Sequence, residues 1–259
     1  MTKFAYFLGS EQWQPEILID HAKLAQEVGF DMVTISEHFH PWVDDYSASN
    51  FTWSTLGALA NSTPELDLGT GVTTPLWRMH PVVFAQASAT VDRLSHSTFH
   101  LGVGTGENMN EGPLGYNFPK YDERASRMKE ALTIIRRLLN GEKLDFEGQF
   151  YNTKGAKLYS PPLKEVPIWL AAGGPKSSHL AAEYADGLMI SVKDPEDAYE
   201  RVLRRLGIVE TDDGRFIIED FSEATKTLRS ELFKREVNDN ISDALTNFLD
   251  KGTTLETTP

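Results

Sequence analysis

Short apolar runs alternate with amphipathic stretches along most of this chain at a spacing of roughly 30 residues, and that rhythm constrains the fold more than any single motif. The runs fall at residues 3–9, 32–35, 66–73, 98–103, 166–172 and 187–192. Helical stretches separate them. One is opened by Pro15, carries Ile17, His21, Leu24, Ala25 and Val28 at helical spacing, and closes at Gly29. Others cover residues 51–61, a segment from Pro81 with Phe84, Ala87, Val91 and Leu94 on one face, and residues 121–139, 176–184 and 195–206. Strands that are apolar throughout are buried on both faces, which is the pattern of a parallel sheet covered by helices. Six such units in order, in a chain of 259 residues, favour a (β/α)8 barrel of the TIM type over an open sheet.

The rhythm has one interruption and one fade. Asn140-Gly141 follows the 121–139 helix, and the alternating, glycine-containing stretch at 144–158 predicts a hairpin, so a helix-plus-hairpin insertion is expected at about 108–165. Beyond Gly207 the pattern weakens: residues 215–218 are expected as a seventh strand and 223–233 as a helix, and no eighth strand follows. The expectation is one barrel domain over residues 1–237, incomplete or irregular in its last two units, with a polar tail at 238–259.

In a barrel of this kind the reactive groups sit at the C-terminal ends of the strands. The unusual residues of this chain fall there: Glu11, the SEHFHPW run from Ser36 to Trp42, Gly71 to Pro75, Gly104 to Glu107, Gly173-Gly174, and Ser191 to Lys193. Pro41 forces the chain out of the ladder beside Glu37, His38, His40 and Trp42, so this second strand ends in a cluster of titratable and aromatic groups. His38 is the natural proton-exchanging group, since imidazole titrates near neutral pH. The His38-x-His40 pair also matches a metal pair on one strand face, but the fifth and sixth strands end in glycines and serine and supply no further ligands, so no metal is assigned. GVGTGE, from Gly102 to Glu107, has the look of a dinucleotide fingerprint, yet its last glycine is replaced by Glu107 and it follows a fourth strand instead of a first. Glycines there suit close approach of a flat ring to the backbone. Ala171-Ala172-Gly173-Gly174-Pro175 opens a helix and suits an anion nest.

Composition excludes other classes. A formal net charge of −13 disfavours nucleic acid and anionic membrane surfaces as partners. No apolar run approaches membrane-spanning length, and the apolar run at residues 4–8 is too short for an export signal, so a cytoplasmic location is expected. With no cysteine there is no disulfide, thiolate metal site or cysteine nucleophile.

Taken together, SEHFHPW, GTGVTTP, the following Arg78, His80 and Pro81, GVGTGENMNE, the hairpin GQFYNTKGAKLYSPP and VPIWLAAGGP resemble the luciferase-like barrel superfamily. Within it they are most similar to the coenzyme F420-dependent oxidoreductases of the glucose-6-phosphate dehydrogenase-like branch. The resemblance runs from about Lys3 to Val192; residues beyond about Glu200 do not follow it. It implies His38 as the active-site base, Trp42 as the substrate-side wall, Glu107 as proton donor to the cofactor ring and Glu11 as a further active-site carboxylate. Glu37, Gly71, Val72, Thr73, Gly104, Thr105 and Gly106 would bind the deazaflavin, with a non-proline cis peptide at Gly71-Val72. Ala171, Ala172, Gly173 and Gly174 would hold its phosphate. It further implies a small-molecule substrate with a CH–OH group and a homodimer. An FMN-dependent monooxygenase on the same barrel is the first alternative, and a non-catalytic, truncated flavin-binding barrel the second.

Overall fold

A computed structural model describes residues 3–45, 48–191, 208–210 and 216–218. The compact unit Lys3–Lys193 contains the repeating part of the sequence. Its order is β1 (Ala5–Leu8), α1 (Pro15–Glu27), β2 (Met32–Ile35), α2 (Thr52–Ser62), β3 (Asp67–Thr70), α3 (Pro81–Leu94), β4 (Phe99–Val103), α4 (Asn108–Glu111), α5 (Tyr121–Leu139), β5 (Leu144–Glu147), β6 (Asn152–Ala156), β7 (Ile168–Ala171), α6 (Pro175–Tyr184) and β8 (Gly187–Met189).

Six strands form one parallel sheet in the order β1-β2-β3-β4-β7-β8. The sheet curls as a half-barrel, which is the incomplete luciferase-like barrel expected. Its register is regular: Leu8 pairs with Ile35 and Ile35 with Thr70, so the C-terminal ends of β1, β2 and β3 come level and present the following loops side by side. β5 and β6 pair antiparallel as the expected hairpin. Helix α5 packs between α3 and α6, in the position of the crossover helix of the fourth unit, so the additions to that unit are the short α4 segment and the hairpin. The hairpin is tied down by Glu130 on α5, whose carboxylate accepts from the amides of Gln149, Phe150 and Tyr151, and by the Tyr151 hydroxyl, which donates to the Leu76 carbonyl at 2.5 Å.

The core lies between sheet and helices: Val33, Ile35, Leu68, Leu101, Ile168 and Leu170 from the strands meet Leu56, Leu59, Phe84, Leu132 and Ile135 from the helices. Each such side chain contributes about 1.5–3 kcal/mol relative to exposure. Helix α1 departs from expectation. Of the expected face Ala25 is buried, and it covers the sheet together with Leu18 and Ala22, while Ile17, Leu24 and Val28 are exposed. Small residues on the inner stripe let the helix approach the sheet, and the larger apolar residues are left outside.

The segment expected as a seventh barrel strand contains β10 (Phe216–Ile218), which pairs antiparallel with β9 (Ile208–Glu210) in a two-stranded ribbon. The helices expected at 195–206 and 223–233, the tail at 238–259 and the domain end at residue 237 lie outside the described residues, as do Val192 and Lys193. No helix among the described residues is long and apolar enough to cross a membrane.

Candidate active site

The site is assembled where β1 and β2 end. The Ser10 amide donates to Ser36 Oγ at 2.9 Å, and Ser10 Oγ donates to the Ser36 carbonyl at 3.0 Å. Ser36 Oγ in turn lies 2.8 Å from Glu11 Oε2 as its donor. Ser10, Glu11 and Ser36 are all buried. This stitch fixes Glu11 so that Oε1 meets His38 Nδ1 in a short hydrogen bond. The loop after β4 brings Glu107 Oε2 to 3.4 Å from His38 Nε2. Trp42 stands edgewise to the imidazole, with ring centroids 5.6 Å apart, and is 66% exposed. Four residues assigned from the sequence, Glu11, His38, Trp42 and Glu107, therefore share one cluster.

Both imidazole nitrogens face carboxylates. Burial by itself would lower the His38 pKa, but the hydrogen bonds and charges of Glu107 and Glu11 outweigh it and raise it to about 9. The Glu11 contact is the firmer restraint, since Glu11 is buried, whereas the Glu107 side chain is 58% exposed and its contact is long for a hydrogen bond. At Glu11, burial opposes ionisation, yet the bonds from His38 and Ser36 hold its pKa below the usual range. Glu107 is lowered chiefly by its bond to His38. At neutral pH the resting His38 is thus an imidazolium between two carboxylates, poised to give a proton before it can take one.

Glu37 points the other way from its neighbour. Its Oε2 accepts from Thr73 Oγ1, from the Thr74 amide at 3.2 Å and from Arg78 Nη2 at 3.2 Å. Arg78 also lies 3.5 Å, through Nε, from Glu111 Oε1. Glu111 is fully buried, and burial raises its pKa. Sequence reasoning gave Glu111, Arg78, Ser10 and Ser36 no role. Their signal was present in part, as polar residues at strand ends, but a buried ion pair between loops after β3 and β4 cannot be read from spacing.

Beside these groups the backbone forms a ledge. The Gly71-Val72 peptide is cis. The Thr73 amide donates to the Gly102 carbonyl and the Gly104 amide to the Thr73 carbonyl, locking the ledge to β4. A side chain at Gly102 would fall 2.0 Å from the Thr70 carbonyl oxygen, and one at Gly104 2.8 Å from Val72 Cγ2. Gly106 has φ of +79° and sits against Glu111 and Trp77, while Thr105 before it is partly exposed. Ala171 lies next to Gly104, and residues 171–174 lead from β7 into α6. At the start of α6 the Gly174 amide donates to Ser177 Oγ at 3.1 Å, and an added Cβ at Gly173 or Gly174 would meet nothing within 4 Å. His40, the other member of the histidine pair, stacks on Phe39 at 5.1 Å and is exposed.

A parallel half-barrel with its polar residues gathered at the strand C-termini is the architecture of the (β/α) barrel enzymes. The chain belongs to the luciferase-like monooxygenase family, whose family model matches residues 2–210. It is 42% identical over 207 residues to an F420-dependent glucose-6-phosphate dehydrogenase of Microbacterium testaceum, covering 79% of this chain and 61% of the relative. It is 41% identical over 191 residues to an F420-dependent hydroxymycolic acid dehydrogenase of Mycobacterium tuberculosis, covering 74% of this chain and 53% of that protein. Among solved structures it is similar to an F420-dependent secondary alcohol dehydrogenase in complex with an F420-acetone adduct, with a TM-score of 0.72, 33% identity, and coverage of 78% of this chain and 64% of that one. The chain thus spans about 53–64% of the length of these relatives.

Proposed function

We propose that the protein is an oxidoreductase that moves a hydride between a CH–OH carbon of a small organic substrate and coenzyme F420. The observation that carries this reading is His38 held between Glu11 and Glu107, beside the exposed Trp42. The names of the three relatives reported above, each an F420-dependent dehydrogenase, support the same chemistry.

The residues present suit the cofactor. Gly71, Val72, Thr73, Gly104, Thr105 and Gly106 provide a bare backbone ledge of the kind a flat ring needs, and glycine at 104 is required by the closeness of Val72. Glu37 has three donors on Oε2 and, among the described residues, none on Oε1, which leaves that oxygen to accept from a ring N–H. Residues 171–174 would receive the phosphate at the open start of α6. When bound, the deazaflavin supplies the ring carbon that accepts or returns the hydride.

The chain's own residues handle the protons. In alcohol oxidation the carbinol carbon loses a hydride and the hydroxyl loses its proton to the neutral Nε2 of His38, giving a carbonyl. In the reverse direction the His38 imidazolium donates that proton. Glu11 stays on Nδ1 throughout, fixing the ring and stabilising its charge, in the way a buried carboxylate orients a catalytic histidine. Glu107, at the solvent side of Nε2, is the second proton-carrying group. Trp42 closes the substrate side.

We also propose that the protein works as a homodimer in the cytoplasm. The exposed row Ile17, Leu24 and Val28 on α1 supports the first.

Titration of the purified protein with coenzyme F420 and with FMN, followed by cofactor reduction against a panel of alcohols, tests the reading. Saturable F420 binding with alcohol-dependent reduction is expected. Binding of FMN alone with oxygen consumption would move the protein to the monooxygenases, and binding of a flavin without any turnover would leave a non-catalytic barrel.

A further inference from the structure

Behind the ledge, two buried carboxyl groups meet one guanidinium. Arg78 Nη2 lies 3.2 Å from Glu37 Oε2, and Arg78 Nε lies 3.5 Å from Glu111 Oε1. The Nε and Nη2 hydrogens of a guanidinium point in parallel along one edge of its fork, so both carboxyls face the same edge. They are served unequally. Glu37 Oε2 also accepts from Thr73 Oγ1 and from the Thr74 amide. Glu111 is fully buried, its contact with Arg78 is too long for a hydrogen bond, and neither of its oxygens has a donor among the described residues. Glu111 also lies against the ledge: the point where a side chain at Gly106 would begin is 3.3 Å from its Oε1. One residue of α4 therefore borders the loop after β4 and, through Arg78, the Glu37 arm that follows β2.

Which carboxyl carries the charge follows from these partners. An ionised carboxylate away from water needs donors in place of it. Glu37 has three on Oε2, and Glu111 has none. Two like charges on one edge would also repel. The neighbouring charges are engaged elsewhere: Glu107, at the start of α4, faces His38, and Arg127 of α5, which lies over the Trp77 ring, is bonded to Glu123 at 2.8 Å. Burial raises the Glu111 pKa, against the charge of Arg78 and together with that of Glu37.

We propose that Glu111 is a positioning residue for the cofactor: as an un-ionised acid beneath Gly106 it leaves Arg78 to Glu37 and so holds in place the carboxylate that receives the ring. Ionised, Glu111 would draw the guanidinium toward itself, repel Glu37 and loosen the cofactor. The inference rests on the reading of the site as an F420 site and adds to it a residue that acts through its neighbours. The reaction is unchanged.

Two measurements on the full chain test it. In the first, with no cofactor, infrared difference spectra are recorded between the parent protein and Glu111→Gln. The carbonyl stretch of an un-ionised carboxylic acid should be present in the parent protein at about pH 6, well above the ordinary glutamate value of 4.5, and missing in the variant. No such difference at that pH would mean that Glu111 is ionised and would overturn the proposal.

The second is the affinity for coenzyme F420, followed by fluorescence across the neutral and alkaline range. The side chain of Glu111→Gln is uncharged at every pH, so this variant keeps whatever pH dependence His38 and the cofactor contribute and loses the part due to Glu111. The affinity of the parent protein should fall about tenfold relative to the variant as Glu111 ionises, and by reciprocity the acid band should persist to higher pH once F420 is bound. A parent-to-variant ratio that stays constant with pH, in a protein that binds F420, would overturn the positioning role alone. Absence of F420 binding by the parent protein would overturn the cofactor reading, and the positioning role with it.

Discussion

Glu11 reaches His38 Nδ1 from the end of the neighbouring strand, and it does so because Ser36, two residues before the histidine, donates to the other oxygen of the same carboxylate. The ring is therefore oriented and charged by a group that is itself buried and held.

The first prediction concerns pH. His38 is raised from an ordinary value of 6.5 to about 9, so the stabilisation it contributes is complete below about 6.5 and lost as pH rises through about 9. Carbonyl reduction, which needs the imidazolium, should decline through that upper value, and alcohol oxidation should rise through it. Glu11→Gln removes the firmer of the two partners and should bring the inflection down toward 6.5. NMR titration of the His38 ring in both proteins measures this directly; an inflection near 6.5 in the parent protein would refute the imidazolium.

A second prediction separates the two serines' structural work from the chemistry. Ser36→Ala leaves the buried Ser10 amide without its side-chain acceptor and takes one donor from Glu11, which keeps His38 and Ser10 Oγ, at a cost of about 1–3 kcal/mol. Urea unfolding should show a lowered midpoint with an unchanged slope. Glu11 carries its own acid limit: its pKa is depressed in the folded state, so its contribution is present above about 4.5 and lost as pH falls through the folded value. Acid unfolding of Glu11→Gln should accordingly be less steep than that of the parent protein.

Much of this site was legible because the fold converts sequence position into place. Once 32–35 is a strand in a parallel sheet, Glu37, His38 and Trp42 must lie at its C-terminal mouth, and the level register of β1 and β2 brings Glu11 to them across 27 residues of chain. Helix α1 shows where pattern reading failed. The segment holds two apolar stripes that share Ala25, one with Ile17, Leu24 and Val28 and one with Leu18 and Ala22, and periodicity favours the bulkier one. Which stripe faces the sheet is settled by how closely helix and sheet can approach, a tertiary property. The Arg78 pairs with Glu37 and Glu111 were hidden for a similar reason, since they join loops after three different strands.

That arrangement supplies the third prediction. Arg78→Leu would leave the buried Glu37 carboxylate without its cation, a loss of about 3–5 kcal/mol. Glu111→Gln should cost far less, about 1 kcal/mol or below, because burial already favours the uncharged form of that side chain and its contact to Arg78 is long for a hydrogen bond. Thermal unfolding of the two variants should differ clearly. Similar losses would mean that Glu111 is ionised and tightly paired.

The last prediction uses the glycines of the ledge. A methyl group at Gly104 would push on Val72, and one at Gly102 would strike the Thr70 carbonyl, which is fixed backbone. Gly102→Ala should therefore destabilise the sheet itself by about 1–3 kcal/mol, the cost of overpacking a core that cannot shift. Gly104→Ala meets a side chain instead, so the fold should survive while the ledge deforms and cofactor affinity falls. Gly173→Ala has open space around its Cβ and should leave stability alone. Fluorescence titration with coenzyme F420, alongside urea unfolding of all three variants, distinguishes these cases. If Gly104→Ala bound the cofactor as tightly as the parent protein, the ring would have to lie elsewhere than on the ledge formed by Gly71, Val72 and Gly104.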